Sequence, residues 1–372
     1  MTLPPWRVRE RVVRSVVLAA AVLGFGFGAR LLFPGGVTQT PTRFAARIAE
    51  LSEAGGYFDT DNLISNEASY LDVVPALSQM QAKGGVYIGV GPDQNYTYIA
   101  ATRPSIAFIL DIRRDNMLLH LLFKALFGLA GNRVEYLSLL LGRRLPAGST
   151  DWGSMDIEQS VTALNRAALD EGALRSLRTR VDAAIGRIGV PLSDDDRRTI
   201  ERFHRRFIEA GFDLRFQSTG RPPRSYYPTY RDLILAADPS GRRSCFVASE
   251  DSFQFVKGLH AQDLIVPVVG DVSGPKALAA IGRLVQQRGG RVSAVYASNV
   301  EFYLFSSGSF PRYLVNLRNL PRADNAVVIR SVFGPYSPYG SMSSSSHLQS
   351  ISDLLARADA GGITRYADLL TR

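Results

Sequence analysis

Apolar positions along the chain fall into short unbroken runs and longer runs of helical period, and the two kinds alternate. Val86 to Val90 is an unbroken run that stops at Gly91-Pro92, and Ile106 to Ile112 is another, with a helical stretch between them. Such runs bounded by Gly and Pro predict buried strands, so Gly84 to Asn116 reads as strand, glycine turn, helix, strand. The texture returns after Arg243, where SCFVASED predicts a strand ending on Glu250 and Asp251 and a short helix follows to about Ala261. DLIVPVVGDVSG is then a strand ending at Gly270-Asp271, Pro275 to Gln287 a helix, and Arg291 to Ala297 a strand leading into SNVEFYL. Ala326 to Phe333 gives one more strand, Gly340 to Ser346 a flexible Ser-rich connector, and Ile351 to Leu370 a terminal helix interrupted at Gly361-Gly362. This alternation predicts an α/β fold with a doubly wound, mainly parallel sheet whose ligand site lies at the carboxyl ends of the strands.

Between the second and third strands the pattern is helical over about 117–240, which predicts a large insertion. Met117 to Leu141 is apolar on several faces and calls for burial against a sheet or a partner; its His120 reads as a hydrogen-bonded core residue. Trp152 to Gly211 is charged and helical, with a cap signal at Ser193. Phe212 to Tyr230 mixes Pro and Gly with Arg221, Arg224, Tyr226, Tyr227 and Tyr230, and so predicts a loop that either closes over an anionic or aromatic ligand or simply decorates the surface. Ahead of the first strand, Asp61, Ser65, Asn66 and Glu67 precede an amphipathic helix, where they cap it or line a pocket.

The first 36 residues differ from everything that follows. Arg7, Arg9, Arg11 and Arg14 precede a charge-free apolar run from Ser15 to Ala29, and Leu31 to Phe33 extend it. That predicts a signal or anchor segment joining a body over 37–372, with an uncleaved anchor favoured because Gly26 to Ala29 makes a poor cleavage site. By arginine bias the body lies on the extracytoplasmic side, anchored or exported; a mis-called start would leave it in the cytoplasm.

With 372 residues and 46% apolar content the chain can build a large core. The net charge of +9 comes from 39 arginines and four lysines interspersed with acids, and no basic stretch is interleaved with stacking aromatics, which argues against nucleic acid as a partner. Cys245 is the only cysteine, so an intrachain disulfide is excluded, and no Cys, His or carboxylate cluster shows metal-ligand spacing.

The candidate chemistry sits at predicted strand ends. Glycine at 89 and 91 suits a backbone that turns sharply under a ligand, with Asp93 in the same turn and the next helix offering its N-terminal N–H groups. Asp111, at the tip of the second strand, is placed to bind two ribose hydroxyls of a nucleoside-type small molecule, or else caps the next helix. Asp251, Asp271 and Asn299 fall at strand ends as well.

Glycine turn, acid after the second strand, acid after the third, then DLIV…GD, helix and RGGRVSAVY together resemble the class I S-adenosylmethionine-dependent methyltransferase fold, a Rossmann-like architecture. The segments DNLISNE, GVGPDQNYTYI and SNVE are also similar to an uncharacterised bacterial family with that fold. The resemblance covers Gly84 to Asn116 and about Arg243 to Phe333. It implies S-adenosylmethionine as cofactor, with Gly89 and Gly91 near its methionine part, Asp111 on the ribose and Glu250 or Asp251 near the adenine. It also implies Asp271 facing the transfer site, and it groups Asn299 and Glu301 of SNVE with Asp271 as catalytic candidates. Two positions depart from the pattern. Tyr87 stands where an acid is usual, and Asn95 replaces a small residue.

Two functions follow. One is methyl transfer to an unknown substrate; the other is a non-catalytic, membrane-anchored ligand-binding or scaffold protein on a degenerate methyltransferase fold. S-adenosylmethionine is made in the cytoplasm, so the side of the membrane on which the body lies discriminates between them. A hydrolase is disfavoured, because no Gly-x-Ser-x-Gly elbow occurs.

Overall fold

Six strands form one sheet in the spatial order β3-β2-β1-β4-β5-β6. In a computed structural model, which describes residues 42–80, 85–145, 152, 154–222, 224–334 and 344–370, these strands are β1 (Val86–Gly89), β2 (Ile106–Asp111), β3 (Ile265–Val269), β4 (Val292–Ser298), β5 (Arg322–Phe333) and β6 (Ser344–Ser350). All neighbours are parallel except β5 and β6, which form an antiparallel pair. Strands β1 and β3 are buried along their whole length, as strands covered on both faces must be, hence their continuous apolar runs. Pro267 sits mid-strand in β3, which is tolerable because β3 lies at the edge of the sheet.

Helices connect the strands. Ahead of the sheet come α1 (Arg43–Leu51) and α2 (Val74–Gln79); α3 (Gln94–Thr102) joins β1 to β2. The segment between β2 and β3 holds α4 (Arg114–Leu129), α5 (Arg133–Leu141), α6 (Ile157–Arg166), α7 (Glu171–Ile188), α8 (Asp194–Ala210), α9 (Tyr230–Leu235) and α10 (Glu250–Ala261). α11 (Ala277–Gln287) leads to β4, α12 (Val300–Ser306) and α13 (Phe310–Asn319) lead to β5, and α14 (Ile351–Asp359) follows β6. The all-round apolar character of α4 has a simple cause: it packs on β2 and β3 from one side and on α7 and α8 from the other.

Strand order reverses at β1. From β1 the chain moves outward through β2 to β3, then crosses back to β4 on the other flank of β1 and continues to β5. A crevice opens at the carboxyl ends of the strands where such a reversal occurs.

Two sequence expectations are corrected. SCFVASED forms no strand: Cys245, Phe246 and Val247 are buried in a turn whose Phe246 N–H donates to Thr97 Oγ1 of α3, and Ser249 caps α10 by accepting from Ser252 N. Glu250 and Asp251 are therefore first-turn helix residues, where the macrodipole favours acids. The Ser-rich tract is no connector over its last three residues, since Ser344, Ser345 and Ser346 are buried in β6. Their polarity is accommodated by side-chain hydrogen bonds, Ser69 Oγ lying 2.8 Å from Ser344 Oγ and 3.2 Å from Ser346 Oγ.

The predicted anchor lies outside the described residues, which belong to one unit, Thr40–Arg372. Among the described residues no helix is long and apolar enough to cross a membrane.

Candidate functional site

A cleft of ≈ 1050 Å³ opens over the carboxyl ends of β1 to β4, lined there by Gly91, Asp111, Gly270, Asp271, Ser298 and Asn299. The turn after β1 is built by three side chains beneath it. Tyr87 Oη donates to Asn95 Oδ1 at 2.8 Å, while Asn95 Nδ2 donates to the carbonyls of Val90 and Pro92 at 2.8 and 2.7 Å. A Cβ at Gly89 would stand 1.9 Å from Asn95 Oδ1, so glycine is required there by the packing of Asn95 and not by a ligand. Gly91 is different: it has φ +83 and a bare backbone on the cleft. His120 fixes it from behind. Its Nε2 lies 2.9 Å from Gly91 O and its Nδ1 2.8 Å from Tyr96 Oη, and burial lowers its pKa to about 4 against the pull of the Gly91 carbonyl, so the ring is neutral and donates to Gly91.

Asp111 reaches the cleft but is already engaged. Its Oδ1 accepts from Arg113 N at 2.9 Å and Nε at 3.1 Å, its Oδ2 accepts from Nη2 at 3.0 Å, and Arg113 Nη1 ties the pair to Thr60 O at 3.0 Å. Oδ2, with one bond, keeps acceptor capacity for a ligand. Asp271 Oδ1 accepts from Ser273 N at 2.7 Å and Oγ at 3.0 Å, and Asn299 stands at the N-terminal end of α12 with no cap bond from its side chain.

Four other candidates do not line the cleft. Asp93 is buried and accepts from Tyr230 Oη at 2.9 Å; burial raises its pKa to about 7, opposed by that hydrogen bond. Glu250 faces Arg133, its Oε2 accepting from the Arg133 N–H at 3.2 Å, and Asp251 is paired with Arg103 on the surface. Glu301 forms a buried ion pair with Arg330 of β5 at 2.6 and 3.1 Å, which makes it a structural anchor of α12 to the sheet.

The polar centre of the cleft is Glu67, which the sequence marks, together with Asn66, as a helix cap or a minor site candidate. It is 1% exposed, and its carboxylate accepts from Tyr296 Oη at 2.8 Å on both oxygens, from Gln94 Nε2 at 2.8 Å, and from the hydroxyls of Ser298 and Ser331. Burial raises its pKa and these four donors pull it back. Ser298, at φ 51, holds a left-handed backbone beside it. The signal that would have found this cage is polarity inside otherwise apolar strands: Tyr296 in β4 and Ser331 in β5 are both buried.

The loop after α8 reaches the cleft and is not mere surface decoration. Phe216, Ser218, Arg221, Arg224, Tyr226 and Tyr227 line it, as do Phe302 and Tyr303 of α12. Among the described residues no group of three or more His, Cys, Asp or Glu side chains is placed to hold a metal ion.

Residues 63–144 and 200–369 match one family model, described as a domain of unknown function (DUF7790). The chain belongs to that family. No curated protein matches it. The matched stretches of DUF7790 contain Glu67, Gly91, Asp111, Asp271 and Asn299, while the interval with α6 and α7 falls between them.

Proposed function

We propose that the cleft binds a nucleoside-type ligand, S-adenosylmethionine in the first instance, and that the reaction is methyl transfer to a second small molecule. The observation that carries this reading is the coincidence of the cleft with the reversal of strand order, with the bare turn at Gly91 and the acid Asp111 side by side on its floor. The strand order with its antiparallel β6 supports a doubly wound, Rossmann-like sheet of methyltransferase type. The residues fit the group: Gly91 leaves room for close approach, and Asp111 Oδ2 can accept from a ribose hydroxyl. When bound, S-adenosylmethionine supplies an electrophilic methyl group. The protein's part is alignment and exclusion of water, with Asp271 and Asn299 at the ends of the neighbouring strands.

A non-catalytic ligand-binding protein is the second reading. It is favoured by Asp111 being held already by the Arg113 fork, and by the four arginines before the apolar N-terminal run, which orient the body away from the cytoplasm. Reporter fusions after residue 40 test that orientation. Calorimetric titration of the full-length chain with S-adenosylmethionine and S-adenosylhomocysteine tests the ligand: binding at sub-millimolar concentration is expected, and its absence from folded protein at about 10 mM ligand would leave the cofactor without support.

A further inference from the structure

The nucleoside reading uses the strand ends and leaves the mouth of the cleft unassigned. Six large hydrophobic side chains are exposed among the described residues, and three of them, Tyr226, Phe302 and Tyr303, line this cleft at 39%, 42% and 40% exposure. Clustered exposed aromatics mark binding surface rather than chance. Their rings are held in place. Phe58 meets Tyr303 edge-on at 4.8 Å, Phe302 meets Tyr303 at 5.5 Å, and Tyr226 meets Tyr227 at 4.9 Å. The loop that carries Tyr226 is strapped to the segment ahead of Glu67: Thr219 N donates to Asp59 O at 2.7 Å, Asp61 N to Gln217 O at 3.0 Å, and Arg221 pairs with Asp59.

Charge selects what such a surface takes. Arg221 is balanced by Asp59, whereas Arg224 lies over the rings of Tyr226 and Tyr227 at 5.7 and 5.9 Å, bonds the Tyr226 hydroxyl, and has no carboxylate in ion-pair reach among the described residues. A guanidinium so placed repels cations from the mouth and attracts anions. Size permits a second ligand, since ≈ 1050 Å³ lies at the upper end of the ~300–1,000 Å³ typical of small-molecule sites.

We propose that the mouth of the cleft is a second subsite, for a planar single-ring aromatic acid whose ring packs on Phe302, Tyr303 and Tyr226 and whose anionic group meets Arg224. The subsite stands on this geometry alone; its role as methyl acceptor rests on the proposed function. In that role a carboxylate oxygen attacks the sulfonium methyl, an O–CH3 bond forms, and the S–CH3 bond breaks with both electrons going to sulfur. The acceptor has no proton to lose. This suits a cleft whose carboxylates Asp59, Glu67, Asp111 and Asp271 are all engaged within the protein.

The test is equilibrium binding to the full-length chain of 4-hydroxybenzoate, its neutral amide and cyclohexanecarboxylate, read by calorimetry and ligand-observed NMR. Millimolar or tighter binding of 4-hydroxybenzoate is expected, with about tenfold weaker binding of the other two, and a similar loss for Arg224→Gln and Phe302→Leu at unchanged circular dichroism. Equal affinity for the three probes, or no binding at about 10 mM, or variants that bind as wild type does, would overturn the proposal. Displacement by S-adenosylhomocysteine would also overturn it, by showing one shared site. Binding of 4-hydroxybenzoate by a chain that ignores S-adenosylmethionine would keep the subsite and remove the methyl-transfer reading.

Discussion

Tyr87 Oη and Asn95 Oδ1 are hydrogen-bonded at 2.8 Å beneath the turn between β1 and α3, and these are the two positions at which the sequence departs from the methyltransferase pattern. The departures are thus one unit. The hydroxyl of the tyrosine on the strand satisfies the side-chain oxygen of the asparagine in the turn. Asn95 in turn holds the carbonyls of Val90 and Pro92, so the turn keeps its shape by side-chain hydrogen bonds from below.

Tyr87→Phe tests that unit. It removes one hydroxyl and leaves Asn95 Oδ1 buried without its donor, which costs roughly 1–3 kcal/mol. Urea unfolding should show the loss. A variant as stable as wild type would mean that the turn does not depend on this bond.

Glu301 and Arg330 give a second prediction, because the pair is buried at 1% and 2% exposure. Glu301→Ala leaves a buried guanidinium with Gln349 Oε1 and the Leu369 carbonyl as its hydrogen-bond acceptors among the described residues, and should destabilise the fold by about 3–5 kcal/mol. Replacing both partners by Leu and Met should cost much less. Ligand binding by the double variant is expected to survive, since neither residue lines the cleft; its loss would return Glu301 to the site.

The strand ends were legible in the sequence because Gly91, Asp111, Asp271 and Asn299 each follow a continuous apolar run, and the fold needs such runs for strands buried on both faces. SCFVASED misled because four apolar or small residues before a Ser-Glu-Asp helix start look like a strand before a ligand loop. β6 was hidden for the opposite reason: serine carries little hydrophobic signal, and its burial depends on Ser69, which is distant in sequence. The Glu67 cage was legible in part, as an acid ahead of the first strand and as polar residues inside apolar strands; that they meet was not, since its donors come from α3, β4 and β5.

Asp93 sets a pH dependence. Its folded pKa of about 7 lies above the ordinary aspartate value of 3.8, so between these values the folded state binds more protons than the unfolded state. Stability must therefore fall as pH rises through that window, by roughly 4 kcal/mol in all if no other group compensates. Asp93→Asn keeps an acceptor for Tyr230 Oη and removes the titration. Its unfolding free energy should exceed that of wild type at pH 8 and approach it at pH 4; equal slopes in the two proteins would assign the pH dependence elsewhere.

Asp111→Asn bears on the ribose. The substitution preserves shape but gives up charge, so a hydroxyl bonded to Oδ2 loses a charge-assisted bond worth about 1.5–3 kcal/mol, and S-adenosylhomocysteine should bind on the order of tenfold to a hundredfold more weakly. Some stability is lost too, because Arg113 is only 8% exposed and loses its counter-ion. Titration above the concentration that saturates wild type separates the two effects, and an unchanged Kd would remove the ribose from Asp111.

Glu67 carries the strongest local prediction. Four neutral groups, Gln94, Tyr296, Ser298 and Ser331, aim their donors at one carboxylate, and Tyr296 and Ser298 are also among the residues that line the cleft. Glu67→Ala removes the common acceptor and should cost about 2–5 kcal/mol, because several buried donors lose their partner at once. Glu67→Gln is milder. The hydroxyls can turn to accept from the new amide, which reverses the polarity of the cleft floor at a cost of about 1 kcal/mol. Because burial raises the Glu67 pKa, wild-type stability also declines with pH above the ordinary glutamate value of 4.5, and that component should vanish in Glu67→Gln. If Glu67→Ala unfolds at the same urea concentration as wild type, the cage contributes nothing to the fold. If Glu67→Gln shifts ligand affinity while leaving the midpoint nearly unchanged, the carboxylate serves the cleft and not only the core.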